Sequence, residues 1–198
     1  VPVRNPETHL AEVARIVAEA PKIPGEAWAE MQAPVEVEIP FEYPDQEPDV
    51  KNWDSESLVF TKGSLYLLTK HREDTRTVLY RFPTLEGSTL PVTLERISEM
   101  DVGGADRSYG GMTTAADVSP DGKHLAVLTY HSLFVLEIPS EGEDLLGEVV
   151  AVIDFKQAET AQCEAVAWID NDTIRFSNEG GKLFTVEDAT QPRKTPFP

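Results

Sequence analysis

The chain repeats one arrangement of short strands and turns three times, and this repeat limits what it can fold into. Leu65–Lys70 and Leu125–Tyr130 align about sixty residues apart, and Ile174–Glu179 takes the same place in a third set. Each segment follows a strand and a tight turn, and each precedes another strand. Four antiparallel strands repeated at this spacing are typical of β-propeller blades, whose usual period is roughly 40–50 residues. A two-sheet sandwich, the alternative all-β fold, predicts no shared signature between consecutive four-strand units.

The repeat divides the chain into an N-terminal segment and three blades. The segment is 1–43, with the outer strands of a preceding blade, and the blades are 44–100, 101–158 and 159–198, the last with a C-terminal tail. These units amount to about 3.5–4 blades of four antiparallel strands, and a closed propeller needs at least four. We therefore expect an all-β chain that forms part of a larger ring, completed by another chain or a missing segment. Within residues 1–43, Val35–Ile39 alternates as a strand does, whereas 7–19 fits a helix or a strand equally well.

The charge balance excludes several classes of partner. The chain carries 35 acidic and 17 basic side chains, a formal net charge of −18. This disfavours nucleic acids and anionic membrane surfaces, which attract Lys and Arg. No stretch approaches the roughly 18 consecutive apolar residues of a transmembrane helix. Cys163 is the single cysteine, so the chain has neither an internal disulfide nor a cysteine-based zinc site.

Acidic side chains recur at strand positions that would line a propeller channel. Glu56 and Glu164 occupy equivalent positions on first strands, and Ala116 takes that place in the middle blade. Because Ca²⁺ prefers carboxylate and carbonyl oxygens from several elements, these positions suggest a calcium site. The candidate metal ligands are Glu56, Glu164, Asn178, Glu179 and Asp54. In the alternative interpretation, such a Glu only hydrogen-bonds a neighbouring blade and stabilises the fold.

Polar residues at the ends of the second strands form a second candidate group. Lys70 and Tyr130 lie at equivalent strand ends, and His71 and His131 directly follow them. These four residues are the candidate contacts for a small molecule or a protein at the channel mouth. The chain contains no nucleophile elbow, P-loop or dinucleotide fingerprint, so the sequence indicates no catalytic residue.

Short motifs in all three repeats resemble those of a bacterial β-propeller family. Asp54–Leu58, followed by Leu65–Lys70, resembles its D-x-E-small-hydrophobic strand and the strand after it. Thr114–Gly122 resembles a TGADISPDG stretch, and Cys163–Trp168 with Ser177–Glu179 resembles its closing motif. The family is the phytase-like, or "esterase-like activity of phytase", group, which is related in pattern to gluconolactonase-like and NHL-type propellers.

The resemblance implies a bacterial protein that is secreted, periplasmic or envelope-associated, with an acid-lined, calcium-binding channel. By resemblance, Glu56, Glu164 and Glu179 carry over as channel acids, and Ala116 departs from the pattern. The predicted function is a propeller domain whose acidic mouth binds Ca²⁺ or a small ligand, with no established catalysis. The alternatives are a calcium-dependent hydrolase of phosphoesters, esters or lactones, and a purely structural or protein-interaction propeller.

Overall fold

The computed structural model describes residues 37–106, 109–155, 160 and 162–196. Within these ranges it contains fourteen β-strands. In chain order they are β1 (Phe41–Glu42), β2 (Asp54–Thr61), β3 (Ser64–Lys70), β4 (Arg76–Arg81), β5 (Val92–Thr93), β6 (Glu95–Asp101), β7 (Thr113–Val118), β8 (His124–Thr129), β9 (Ser132–Glu137), β10 (Val149–Asp154), β11 (Cys163–Trp168), β12 (Ile174–Asn178), β13 (Leu183–Val186) and β14 (Arg193–Pro196).

The strands form three consecutive sheets and one short ladder. The first sheet is antiparallel in the order β2-β3-β4-β6, and the second repeats this with β7-β8-β9-β10. The third sheet is β11-β12-β13, and β14 returns to the second sheet, where it runs parallel to β10. Consecutive sheets of this kind, each following the chain from strand to neighbouring strand, are propeller blades. The all-β propeller prediction is therefore confirmed.

The hydrophobic core lies between successive sheets. Tyr66 and Leu68 on β3 belong to one buried cluster with Leu125 on β8, between the first and second sheets. Between the second and third sheets, the rings of Phe155 and Phe176 stack with centroids 4.6 Å apart. Strand side chains alternate between the two faces, so a sheet with a neighbour on each side must be apolar on both. The long apolar runs of β8 and β9 meet this requirement.

The far face of the first sheet is covered on its outer half by residues 39–43. Phe41 and Tyr43 contact the rings of Phe82 and Tyr80 edge-on, at centroid distances of 5.2 and 4.9 Å. The predicted strand over 35–39 is wrong in its described part, because residues 37–39 are not in a strand. β1 begins at Phe41 instead, since its parallel pairing with β5 fixes the extended segment. The region 7–19 lies outside the described residues.

The fourth strand of the first sheet also differs from its predicted extent. The sequence predicts one strand over 92–96, followed by a loop from residue 101. In the structure the strand is interrupted at Leu94, whose side chain is buried, and β6 then continues to Asp101. β5 pairs with β1 and β6 pairs with β4, so the chain changes its partner strand at Leu94, whose side chain belongs to the cluster that includes Val78 and Tyr80.

Candidate functional site

Each of the three sheets has a β-bulge at the same place in its first strand. The pairing with the second strand shifts by one residue at Glu56 in β2, at Thr114 in β7 and at Glu164 in β11. A bulge leaves the extra residue unpaired and redirects its side chain. The middle-sheet equivalent of Glu56 is therefore Thr114. The sequence prediction of Ala116 is wrong because the turn between the first two strands is two residues longer in the middle sheet. Phe60 pairs with Leu65 across the turn of the first sheet, whereas Val118 pairs with Leu125 across that of the middle sheet.

The same register makes Lys70, Tyr130 and Glu179 equivalent, as the repeat predicts. Lys70 is 2% exposed, and its Nζ donates to Glu56 Oε2 at 2.6 Å and to Tyr130 OH at 2.7 Å. Its ammonium also lies 4.7 Å from the centroid of the Tyr130 ring. One buried lysine therefore joins the first and second sheets at their bulged ends.

The third sheet joins this group through its own bulge residue. Glu164 hydrogen-bonds the Tyr130 side chain and interacts electrostatically with Lys70, Glu56 and Glu179. We call Glu56, Lys70, Tyr130 and Glu164 the mouth network. Its members come from all three sheets.

Burial and pairing shift the pKa values within the mouth network. Burial opposes the charge of Lys70, but hydrogen bonds with Glu56 and Tyr130 outweigh it, so the pKa of Lys70 is raised. Burial raises the pKa of Tyr130 against the opposing effect of the Lys70 charge. Burial also raises the pKa of Glu164, again opposed by Lys70. Lys70 is thus held as an ammonium, Tyr130 as a neutral phenol, and Glu164 carries a costly charge.

Two further predicted metal ligands, outside the mouth network, also have protein partners. Asp54 accepts hydrogen bonds from the guanidinium of Arg72 in an ion pair. Asn178 donates from Nδ2 to Thr160 O at 2.5 Å, and its Oδ1 accepts from Lys182 N at 2.9 Å. Both side chains therefore support local structure. Arg72, one of the basic residues expected from the sequence near the mouth, interacts electrostatically with Glu56 and Tyr130.

The two predicted histidines lie beside separate cavities. His71 Nδ1 is 2.7 Å from Asp74 Oδ1 and lines a cavity of about 360 Å³ under residues 45–53. His131 lines another cavity of about 450 Å³, together with Asp101 and Asp154. The mouth network lines neither cavity. The structure therefore brings Lys70 and Tyr130 together, with Glu56 and Glu164, but directs His71 and His131 elsewhere.

The described residues do not form a ready calcium cage. Ca²⁺ takes six to eight oxygen ligands, and among these residues no three His, Cys, Asp or Glu side chains converge as metal ligands. The ammonium of Lys70 also occupies one oxygen of Glu56. The residues present thus fit a bound ammonium better than a calcium ion, and calcium binding stays a prediction.

The sheets define a β-propeller domain, and the mouth network is a cluster of charged and polar side chains from three of its sheets. No protein-family model and no curated protein matches the chain. Similar solved structures include the periplasmic gluconolactonase PpgL of Pseudomonas aeruginosa, at 21% identity and a TM-score of 0.48, over 69% of this chain and 41% of that one. Sqt1 of Saccharomyces cerevisiae is similar at 8% identity and a TM-score of 0.46, over 70% of this chain and 32% of its own. The chain spans less than half the length of either protein.

A complex of KlAtg21 with the coiled coil of AgAtg16 is also similar, at 14% identity and a TM-score of 0.46. The match covers 75% of this chain and 41% of that one. Within the described part of this chain, no helix has the length and apolarity needed to cross a membrane.

Proposed function

We propose that this β-propeller domain binds a small, positively charged ligand at its channel mouth. The proposal is carried by the buried ammonium of Lys70, held between Glu56 and Tyr130. A group of side chains that stabilises one buried cation has the charge and the hydrogen-bond acceptors that a second cation needs. Among the described residues no salt bridge joins a cation to Glu164, which belongs to the network, or to Glu179, which interacts with Glu164.

The charge of the whole chain supports a cationic ligand. A formal net charge of −18 attracts cations over long range and accelerates their encounter with the mouth, at low salt most of all. The ligand chemistry is shared by a metal ion and an organic amine, and one probe of each kind distinguishes them.

The protonation states of the mouth network favour binding over catalysis. A nucleophilic lysine needs a lowered pKa, whereas the pKa of Lys70 is raised. A tyrosine that acts as a base also needs a lowered pKa, whereas that of Tyr130 is raised. Neither side chain of this pair is prepared to give a nucleophile or to accept a proton near neutral pH.

Calorimetric titration and thermal unfolding with two probes, Ca²⁺ and 1,4-diaminobutane, test the proposal. We expect saturable binding of at least one probe and a higher melting temperature, both reduced in Glu164→Gln. The matched control is Glu141→Gln, an exposed acid on the β9–β10 loop, which should keep wild-type binding. Binding of Ca²⁺ alone would identify a metal ligand, and binding of the diamine alone an organic one. An equal loss of probe binding in Glu164→Gln and Glu141→Gln would refute a specific site at the mouth. The absence of saturable binding of either probe to the wild type would refute it as well.

A calcium-dependent hydrolase is the second candidate, because the raised pKa of Glu164 suits a general acid. Hydrolysis of p-nitrophenyl esters and phosphates, measured with and without Ca²⁺, separates it from a binding domain. Turnover that depends on Glu164, but not on Glu141, would favour the hydrolase.

A further inference from the structure

The third sheet and the N-terminal ladder are each incomplete, in complementary ways. The third sheet has three strands, and within the described ranges nothing pairs with the outer edge of β13. β14, which follows it in the chain, pairs with β10 of the second sheet instead. At the other end, among the described residues, β1 lies against the outer half of the first sheet and pairs with β5 alone. In the part of the chain that the structure describes, one end therefore has inner strands without an outer strand, and the other has an outer strand without inner ones.

The third sheet exposes one whole face. Its opposite face is buried against the second sheet through Trp168, Ile174 and Phe176. On the exposed face Leu183 is 65% accessible, although it is a large apolar residue in a strand. The same face presents Ala165, Ala167, Ile169, Arg175 and Thr185. The face is mixed, but the apolar side chains Ala165, Ala167, Ile169 and Leu183 give it an apolar part that is suited to packing against another sheet.

The first sheet exposes the inner half of its far face. Leu58 and Phe60 on β2 lie opposite Leu67 and Leu65 on β3, on the side away from the second sheet. Residues 39–43 cover the outer half of this face but leave Phe60 64% accessible. The uncovered part lies along the first strand of the sheet. First strands already contact each other from sheet to sheet within the chain, β2 with β7 and β7 with β11.

We infer that two copies of this chain associate head to tail, with the exposed face of the third sheet of each copy packed against Leu58 and Phe60 of the other. The contact continues the packing of first strand on first strand already present within the chain. It also brings β1 of one copy toward the open edge of β13 of the other. Because the two end faces differ, the contact is heterologous, and two equivalent contacts close a ring.

Net charge opposes this association and gives it a characteristic salt dependence. Two chains of −18 repel each other, and this repulsion is screened beyond about 10 Å at 0.1 M salt. The contact itself is mainly apolar, so salt leaves it intact. We therefore expect the dimer fraction to rise with NaCl concentration.

Sedimentation velocity of the full chain at low and high NaCl tests the inference. The wild type should form dimers in high salt, and Phe60→Asp and Leu183→Asp should each give monomers. Val149→Asp, an exposed apolar position on β10 away from both end faces, should still dimerise. Circular dichroism of each variant confirms that the fold is retained, which the exposure of these side chains favours.

A mixture of Phe60→Asp and Leu183→Asp sharpens the test. Each variant keeps the end face that the other has lost, so a head-to-tail contact restores one interface and a 1:1 complex. An isologous contact would leave the mixture monomeric. A wild type that is monomeric at every salt and protein concentration, or dimers that survive both substitutions, would overturn the inference.

Discussion

Two adjacent threonines at the start of β7 offer a sensitive test of the inter-sheet contacts. Thr113 and Thr114 are both buried. Thr114 Oγ1 donates to Cys163 O at 2.7 Å, from the second sheet to the third. Thr113 Oγ1 has no hydrogen-bond partner among the described residues. Valine has nearly the same shape as threonine but replaces the hydroxyl with a methyl group, so the pair isolates the hydrogen bond from the packing.

Thr114→Val should lower the free energy of unfolding by about 1–3 kcal/mol, because the buried carbonyl of Cys163 loses its donor. Thr113→Val should leave it unchanged or raise it by up to about 1 kcal/mol, because a buried, unpaired hydroxyl is removed. Urea unfolding followed by tryptophan fluorescence measures both. For a chain of this size, 1 kcal/mol corresponds to about 2–4 °C in melting temperature.

The control for this prediction is Thr114→Ser, which keeps the hydroxyl and should retain more stability than Thr114→Val. Equal destabilisation by the two valine substitutions would show that Thr113 also has a partner. That result would refute the difference in hydrogen bonding between the Thr113 and Thr114 hydroxyls.

Three further predictions concern charge and backbone geometry. The raised pKa of Glu164 means that the folded state holds this proton more tightly than the unfolded chain, so ionisation of Glu164 works against folding. Thermal unfolding across pH should therefore show Glu164→Gln as more stable than wild type near neutral pH, with the difference vanishing as pH falls toward the ordinary value of 4.5. Lys70→Met should cost about 1 kcal/mol in urea unfolding, because Glu56 and the Tyr130 hydroxyl both lose the ammonium; the solvent exposure of Glu56 keeps the cost small. Adding Glu56→Gln should recover part of this cost, and full additivity of the two changes would contradict the prediction. Gly110→Ala should lower the free energy of unfolding by more than about 2 kcal/mol, since its Cβ would lie 1.6 Å from a backbone oxygen. Gly122→Ala should cost only about 1 kcal/mol, because its Cβ would meet open space and only the positive φ is unfavourable. Similar melting temperatures for the two variants would contradict this difference.

The strands could be predicted from the sequence because their local signals agree. The run Leu125–Thr129 is short and apolar, and Pro120–Gly122 before it is a turn by composition. The matching run Leu65–Lys70 carries the same pattern, so the repeat was visible without a structure. The runs Leu125–Thr129 and Leu65–Lys70 form β8 and β3, each within one or two residues of its predicted bounds.

The pairing details could not be predicted, because they depend on contacts distant in the chain. The bulge at Thr114 leaves no local signature, and the longer turn between Val118 and Leu125 places the middle-sheet equivalent of Glu56 at Thr114 rather than at Ala116. The return of β14 to the second sheet likewise follows from a free edge on β10 rather than from its own composition. Register and edge pairing are properties of the assembled sheets.

The candidate site, like the fold, could be predicted from the sequence only in part. The repeat placed Lys70, Tyr130 and Glu179 at one end of the sheets, which the register bears out. The repeat could not indicate which side chains contact each other, because the bulges change the direction in which side chains leave the strand. His71 and Lys70 are adjacent in sequence, yet one bonds Asp74 and the other bonds Glu56.

The mouth network connects ligand binding to the cohesion of the sheets. Glu56 and Glu164 project from different sheets toward the same mouth, and like charges in partly buried positions repel. Lys70 and Tyr130 offset this repulsion, since one ammonium is shared between a carboxylate and a phenol from different sheets. A cation that neutralises Glu164 removes part of the same repulsion without displacing Lys70. Binding at the mouth should therefore tighten the packing of the third sheet on the other two, and the stability gained on binding should be largest where Glu164 is fully ionised.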